Sequence, residues 1–264
     1  MNNKLTMNNK RALVCGGSKG IGAATAIELS NLGASITLIA RNENSLTDVL
    51  TELESSKEQK HSYLIADFDN PNTLKTKITD FINSNPPIHI LINNSGGPKP
   101  GPIMNSNIED FTKAFNRHLI CNHILVQALV PNMKRAKFGR IINITSTSVK
   151  QPIKGLGISN TIRGAVANWA KTLSFELGEH GITVNNILPG YTDTKRLQEI
   201  FLDKSKKSNF DIESIISDAH DQIPLGRFAD PKETAKAICF LASEDASYIN
   251  GINLPVDGGR LSTL

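Results

Sequence analysis

A cluster of glycines near the start of the chain is the first feature with chemistry in it. Cys15-Gly16-Gly17-Ser18-Lys19-Gly20-Ile21-Gly22 ends an apolar run and opens a helical stretch. In that setting Gly16 permits a tight turn, Gly20 lets the backbone approach a diphosphate, and Gly22 lets the helix pack closely on the strand. The helix N-terminus, with the N–H groups from Ser18 to Gly22, presents donors and partial positive charge to phosphate oxygens. A dinucleotide is the ligand this predicts. Charge refines the choice. An acid at the end of the second strand would bond an adenosine 2′-hydroxyl and repel a 2′-phosphate. Here that position is Ala40, followed by Arg41, and Lys19 lies in the glycine loop. Two cations and no acid favour NADP(H).

The Gly-x-x-x-Gly-x-Gly spacing is joined by further pieces: Asp67 in A-D-F-D, N-N-S-G at 93–96, N-I-T-S at 143–146 and P-G-Y-T-D-T at 189–194. With the ending I-P-L-G-R-F-A-D-P…G-I-N-L-P-V-D-G-G, the chain resembles the short-chain dehydrogenase/reductase family from about Arg11 to Gly259. The resemblance implies that Asp67 contacts the adenine and that Asn94, Ser95 and Gly96 line the adenosine ribose side. It also implies that Pro189, Gly190 and Thr194 hold the nicotinamide end.

In that family a serine after the fifth strand, a tyrosine thirteen residues on and a lysine four beyond it carry the proton chemistry, with an asparagine on the preceding helix. The serine is Ser146. The tyrosine position is Ser159, the lysine position Arg163 and the asparagine position His118. An alkyl hydroxyl is a far weaker acid than a phenol, and a guanidinium does not relay protons. Arg163 can fork onto ribose hydroxyls or onto an oxygen where negative charge develops. His118 is the nearby group expected to titrate near neutral pH. Tyr191, after Pro189-Gly190, is a possible substitute phenol, although packing or substrate contact accounts for it as well. Two functions stay open: an NADP(H)-dependent oxidoreductase acting on an apolar carbonyl or hydroxyl substrate with an altered centre, and a non-catalytic NADP(H)-binding sensor or assembly subunit.

The elements that must position these groups alternate in type. Near-continuous apolar runs at 11–15, 35–40, 61–66, 88–93, 139–145, 182–188 and 251–257 predict strands covered on both faces. Helices are expected from the glycine turn to about Leu32, from there after the second strand to about Lys57, and as two long segments at about 106–134 and 155–179. Strand–helix alternation with right-handed crossovers predicts a single doubly wound α/β domain of Rossmann type. A polar extension covers 1–10, and the domain 11–264. The stretch at about 191–222 interrupts the alternation and is expected to be a substrate lid.

Composition excludes other classes. Net charge is +4, too mild and scattered for a nucleic-acid partner. Cys15, Cys121 and Cys239 show no metal-ligand spacing, His123 shares no metal-binding face with His118, and no metal is expected. No run reaches membrane-span length and no secretory signal is visible, so a cytoplasmic location and no membrane partner are expected. Ile103, Met104, Ile153, Leu156, Leu197, Ile200 and Phe201 are expected to wall a pocket for a small apolar carbonyl or alcohol substrate. The two long helices resemble the pair that forms dimers in the family, which implies a homo-oligomer: a tetramer, or failing that a dimer.

Overall fold

The computed structural model describes residues 5–263. Seven parallel strands form one sheet: β1 (Arg11–Cys15), β2 (Ser35–Ala40), β3 (Ser62–Ile65), β4 (Ile90–Asn93), β5 (Gly139–Ile144), β6 (Ile182–Pro189) and β7 (Asn253–Val256). Their order is β3-β2-β1-β4-β5-β6-β7, so the direction of winding reverses between β1 and β4. In such sheets the ligand crevice opens at the carboxyl ends of the strands on either side of that reversal. The single doubly wound domain expected from the sequence is what folds.

Helices cover both faces. The first core packs α1 (Gly20–Asn31) and α9 (Pro231–Ala242) on one side, through Ala26, Leu29, Ile238 and Leu241. The second lies beneath α3 (Pro71–Ser84), α5 (Cys121–Ala136) and α6 (Gly157–Leu177), through Leu74, Ile78, Leu125, Leu129 and Ala170. Alternate strand residues serve the two cores: Ala12 and Val14 face the first, Leu13 and Cys15 the second. That division is why the strands read as unbroken apolar runs.

A polar line crosses the second face. Asn93 donates to Asn143 at 2.8 Å, Asn143 to Asn186 at 2.9 Å, and Asn186 to Asn253 at 2.8 Å. These four residues are partners in strand register from β4 to β7. A satisfied bond of this kind nets about 0.5–1.5 kcal/mol, and a buried amide left unpaired costs about 1–3 kcal/mol. A slip of one strand would break the line, so it pins the carboxyl ends that carry the candidate site.

Several expectations need correction. The polar helix after β2 is α2 (Glu43–Thr51) and stops well short of Lys57. The long helix expected at 106–134 is α4 (Ile108–Phe115), a wider i→i+5 turn at Asn116–Ile120, and then α5. Wide turns of this kind often accompany functional sites, and His118 is on this one. Part of the N-terminal extension is not a polar appendage. Met7 is buried in the first core, and its N–H donates to the Leu32 carbonyl at 2.8 Å. The extension's first four residues lie outside those described. The stretch at 191–222, expected to be a substrate lid, contains α7 (Lys195–Ser208) and α8 (Ile212–Asp221), which share a small core of Leu197, Phe201, Ile215 and Ala219.

Candidate active site and cofactor cleft

The glycine turn is built as its spacing predicts, and more tightly. Gly16 (φ +57°) and Gly20 (φ +54°) both adopt the left-handed region. A Cβ on Gly22 would collide with the Gly16 carbonyl oxygen, and one on Gly16 would sit 2.7 Å from Asn94 Nδ2. Gly22 therefore closes the turn on itself as well as packing the helix. Gly17 has a role the sequence reading missed: a Cβ there would lie 2.8 Å from Leu38 Cδ2 on β2.

Whether this turn suits a diphosphate is tested by its free donors. Helices α2, α3, α4, α7, α8 and α9 each begin with a side chain that accepts a first-turn N–H. The N-cap of α1 is Lys19, which provides no such acceptor; nor does Ile120 before α5 or Leu156 before α6. The first turn of α1 thus keeps donors for an external anion. Thr194 lies against this turn, since a Cβ on Gly20 would come within 3.2 Å of its Cγ2. Its hydroxyl accepts the Leu197 N–H, capping α7. Pro189 ends β6 and Gly190 follows, its N–H on the Val256 carbonyl at 2.9 Å.

At the far end Arg41 and Asp67 follow β2 and β3. Their side chains are 3.9 Å apart and largely open to solvent, as is Lys19. Asn94 follows β4 and donates to the Gly16 carbonyl at 3.4 Å. The residues assigned by sequence to the cofactor thus lie along one edge, at the carboxyl ends of β1, β2, β3, β4 and β6.

Of the groups assigned to chemistry, Arg163, Ser146 and His118 lie around the ends of β4 and β5. Arg163 reaches from α6 and donates through Nη1 to the Ile144 carbonyl at 2.8 Å, two residues before Ser146. It has no carboxylate partner among the described residues. Burial lowers its pKa to about 10, which still leaves it charged at neutral pH. Ser146 caps a short turn by accepting the Ser148 N–H at 3.1 Å. Ser159 is half-buried on α6, one helical turn before Arg163.

His118 departs from expectation. It is 2 % exposed, and Nδ1 lies 2.7 Å from Ser95 Oγ. Among the described residues Nε2 is buried without a partner. Burial first, then the charges of Arg163 and Arg117, push its pKa well below 6.5. It is therefore neutral at physiological pH rather than titrating there. Sequence placed Ser95 on the cofactor and His118 in the proton chemistry; the structure joins them. Asp69, which sequence reading passed over, holds this turn in place. It takes two hydrogen bonds from Arg117, from Nε at 2.7 Å and from Nη2 at 2.6 Å, while Arg117 Nη1 reaches the Gly96 carbonyl at 3.3 Å.

Tyr191 is occupied elsewhere. Its ring packs on Phe201 and Phe228, and Arg260 stacks over it at 4.3 Å. Leu197 and Phe201, expected as pocket walls, are buried in the small core shared by α7 and α8 and also line a cavity beside it. That cavity, of about 710 Å³, opens between α7, α8 and the 227–231 turn. None of Ser146, Ser159, Arg163 or His118 lines it. Among the described residues no cluster of His, Cys, Asp or Glu could hold a metal, and no helix is long and apolar enough to cross a membrane.

A family profile described as "Enoyl-(Acyl carrier protein) reductase" matches residues 16–260. The chain belongs to the short-chain dehydrogenase/reductase family. Its members include the NADPH-dependent reductase BacG of Bacillus subtilis, 30% identical over 98% of this chain and 100% of that protein. The 3-oxoacyl-[acyl-carrier-protein] reductase FabG of Haemophilus influenzae is 32% identical over 96% of this chain and 98% of its own length. Among solved structures of the family, L-sorbose reductase from Gluconobacter frateurii, complexed with NADPH and L-sorbose, superposes with a TM-score of 0.91. That comparison has 30% identity and covers 98% of this chain and 99% of the other.

Proposed function

We propose that this short-chain dehydrogenase/reductase is an NADP(H)-dependent oxidoreductase that interconverts a small carbonyl compound and its alcohol with an altered set of catalytic groups. The observation that carries this reading is Arg163: a charged guanidinium anchored on the carboxyl end of β5, beside Ser146, in the cleft that the uncapped helix α1 opens. The relatives named above as NADPH-dependent or NADPH-bound support the same cofactor here.

In this reading the first turn of α1, from Ser18 to Gly22, holds the diphosphate. Arg41 and Lys19 take the 2′-phosphate, which draws Arg41 from its loose contact with Asp67. Asp67 meets the adenine, and Asn94, Ser95 and Gly96 the ribose side. Pro189, Gly190 and Thr194 close the nicotinamide end. NADPH, when bound, supplies the hydride. The remaining work falls to side chains. Ser146 and Ser159 orient the substrate oxygen by hydrogen bonds, Arg163 stabilises the negative charge that develops on it, and the proton that completes the alcohol comes from solvent. His118, neutral and bonded to Ser95, positions the loop after β4. The turn-and-helix region at 191–222 covers the substrate as a lid.

Steady-state NADPH oxidation over a carbonyl panel tests the reading, and Arg163→Ala should weaken NADPH binding and remove turnover. If NADPH binds and no carbonyl or alcohol is turned over, the chain is a nucleotide-binding sensor or assembly subunit. The proposed assembly is a homotetramer, with a dimer next. Ile108 and Phe115 on α4 and Phe175 on α6 are exposed apolar side chains that such contacts would cover. A light-scattering mass near 28.7 kDa would exclude it.

A further inference from the structure

Four segments are tied together around the mouth of the cleft. The Gly101 N–H donates to the Gly155 carbonyl at 2.7 Å, and the Gly157 N–H to the Gly101 carbonyl at 3.1 Å. These bonds zip the loop at 97–105 to the segment at 146–157. From α7, Arg196 Nη2 reaches the Pro98 carbonyl at 3.4 Å. From the C-terminal segment, Ser262 Oγ lies 3.4 Å from Gln151 Oε1. Arg163 lies beneath the same rim, with Nη2 3.9 Å from where a Cβ on Gly97 would stand.

The charge on these segments is one-sided. Residues 97–105, 146–157, 191–199 and 257–263 carry Lys99, Lys150, Lys154, Lys195, Arg196 and Arg260 against Asp193, Glu199 and Asp257. That excess of three supplies most of the whole chain's +4 from a small part of its length. Every acid there is already engaged. Asp193 accepts from Gln198 at 3.4 Å, Glu199 faces Arg196 at 3.8 Å, and Asp257 takes the N–H groups of Gly259 and Leu261 at 3.0 and 2.9 Å. The four lysines form no ion pair among the described residues.

The floor repeats the pattern. Arg163 has one backbone acceptor and no acid, and its Nη2 and Nε make no hydrogen bond among the described residues. His118, whose pKa the Arg163 charge helps to lower, is neutral. Arg117 is spent on Asp69, which Lys113 also approaches at 3.6 Å. A cleft with cations at its rim and an uncompensated cation at its floor concentrates anions. A guanidinium fork also matches the geometry of a carboxylate.

We propose that the substrate is an anionic carbonyl compound, a small 2-oxo acid or the matching hydroxy acid, drawn in by the Lys99 and Lys154 rim and held through both its carboxylate and its adjacent carbonyl oxygen by the Nη2 and Nε donors of Arg163. Its apolar body lies against the same loops, which carry Ile103, Ile153 and Leu156. The inference rests on the reductase reading for turnover only; binding is a separate claim.

The test titrates 2-oxo-4-phenylbutanoate and its ethyl ester into the NADPH-loaded protein by calorimetry, at low and high ionic strength. The acid should bind at least about tenfold tighter than the ester at low ionic strength, and the gap should narrow with salt. A Lys99→Gln/Lys154→Gln double variant should keep its NADPH affinity, bind the acid about threefold more weakly or worse, and lose most of the salt dependence of association. Arg163→Gln should abolish the preference for acid over ester, read as a ratio. Equal binding of acid and ester, or an unchanged salt dependence in the double variant, overturns the proposal. So does tighter binding of a 3-oxoacyl thioester on an acidic carrier protein than of the free oxo acid. If the acid binds with preference and no NADPH is consumed, the anion site stands and the reductase reading falls. If the ester is bound and reduced as well as the acid, the reductase reading stands and this proposal falls.

Discussion

The two ends of the cleft are built from different materials. At the β1–α1 end the proposed ligand surface is backbone: glycines whose missing side chains leave room, and N–H groups that α1 leaves without a side-chain cap. At the β4–β5 end it is side chain: a guanidinium from α6, an imidazole from the turn before α5, and a serine after each strand. A backbone surface depends on the absence of atoms, so nearly any substitution damages it. A side-chain surface depends on which groups converge, so its chemistry can change while the fold and the nucleotide remain. On the function proposed here, that is how one end kept the family pattern and the other acquired a new set of groups.

The sharpest way to break the comparison is to rebuild the side-chain end. Ser159→Tyr with Arg163→Lys, together with His118→Asn, should raise reduction of simple ketones by roughly 10²-fold or more, since a positioned general acid contributes about 10²–10⁴ in rate. Arg163→Lys alone should leave the rate low, because no phenol is present for the lysine to activate. NADPH oxidation measured across the variants decides this, and a wild-type rate equal to that of the triple variant would sink it.

The backbone end should fail in a different way. Gly22→Ala sets a methyl group against the Gly16 carbonyl, an overpacking expected to cost about 1–3 kcal/mol of stability and to weaken NADPH binding with it. Thermal melts with and without NADPH read both effects. An unchanged Tm with unchanged affinity would show that the turn is softer than its contacts imply.

Between these lies nucleotide choice, which the proposed function gives to side chains grafted on the backbone end. NADPH should bind at least tenfold tighter than NADH, as charge-assisted bonds to the 2′-phosphate are worth about 1.5–3 kcal/mol. Arg41→Ala with Lys19→Ala should remove most of the difference. Calorimetric titration giving equal affinities for the two nucleotides in the wild type would overturn the assignment.

The smallest effect concerns pH. His118 has a folded pKa well below 6.5, so between those values the unfolded chain binds more protons than the folded one. Its contribution is fully present above about 6.5 and is lost as pH falls towards the folded value. Urea melts at pH values on either side of about 6.5 should show the wild type losing more stability on acidification than His118→Asn. Parallel losses would place the titrating group elsewhere.

What could be read without coordinates follows from locality. The glycine turn, the alternation of strands and helices and the cations at 19 and 41 are each contained in a short window, where spacing alone carries the physical constraint. The ends of α2 and β7 missed their marks because capping and pairing partners, not propensity, decide where an element stops. The small core shared by α7 and α8 was hidden for a related reason: Leu197 and Phe201 are apolar whether they line a cavity, pack on Ile215 and Ala219, or do both.

The sequence by itself determined a doubly wound domain, a dinucleotide turn and a set of unusual residues at 118, 159 and 163. Only the tertiary structure decided what those residues are. His118 and Ser95 stand 23 positions apart and meet at 2.7 Å because the wide turn before α5 folds under the end of β4. Burial beside Arg163 then makes that histidine neutral. Asn93, Asn143, Asn186 and Asn253 become one line because parallel pairing brings them into register. A pKa or a cross-strand bond is a property of surroundings, and surroundings assembled from distant segments are not present in any local stretch of chain.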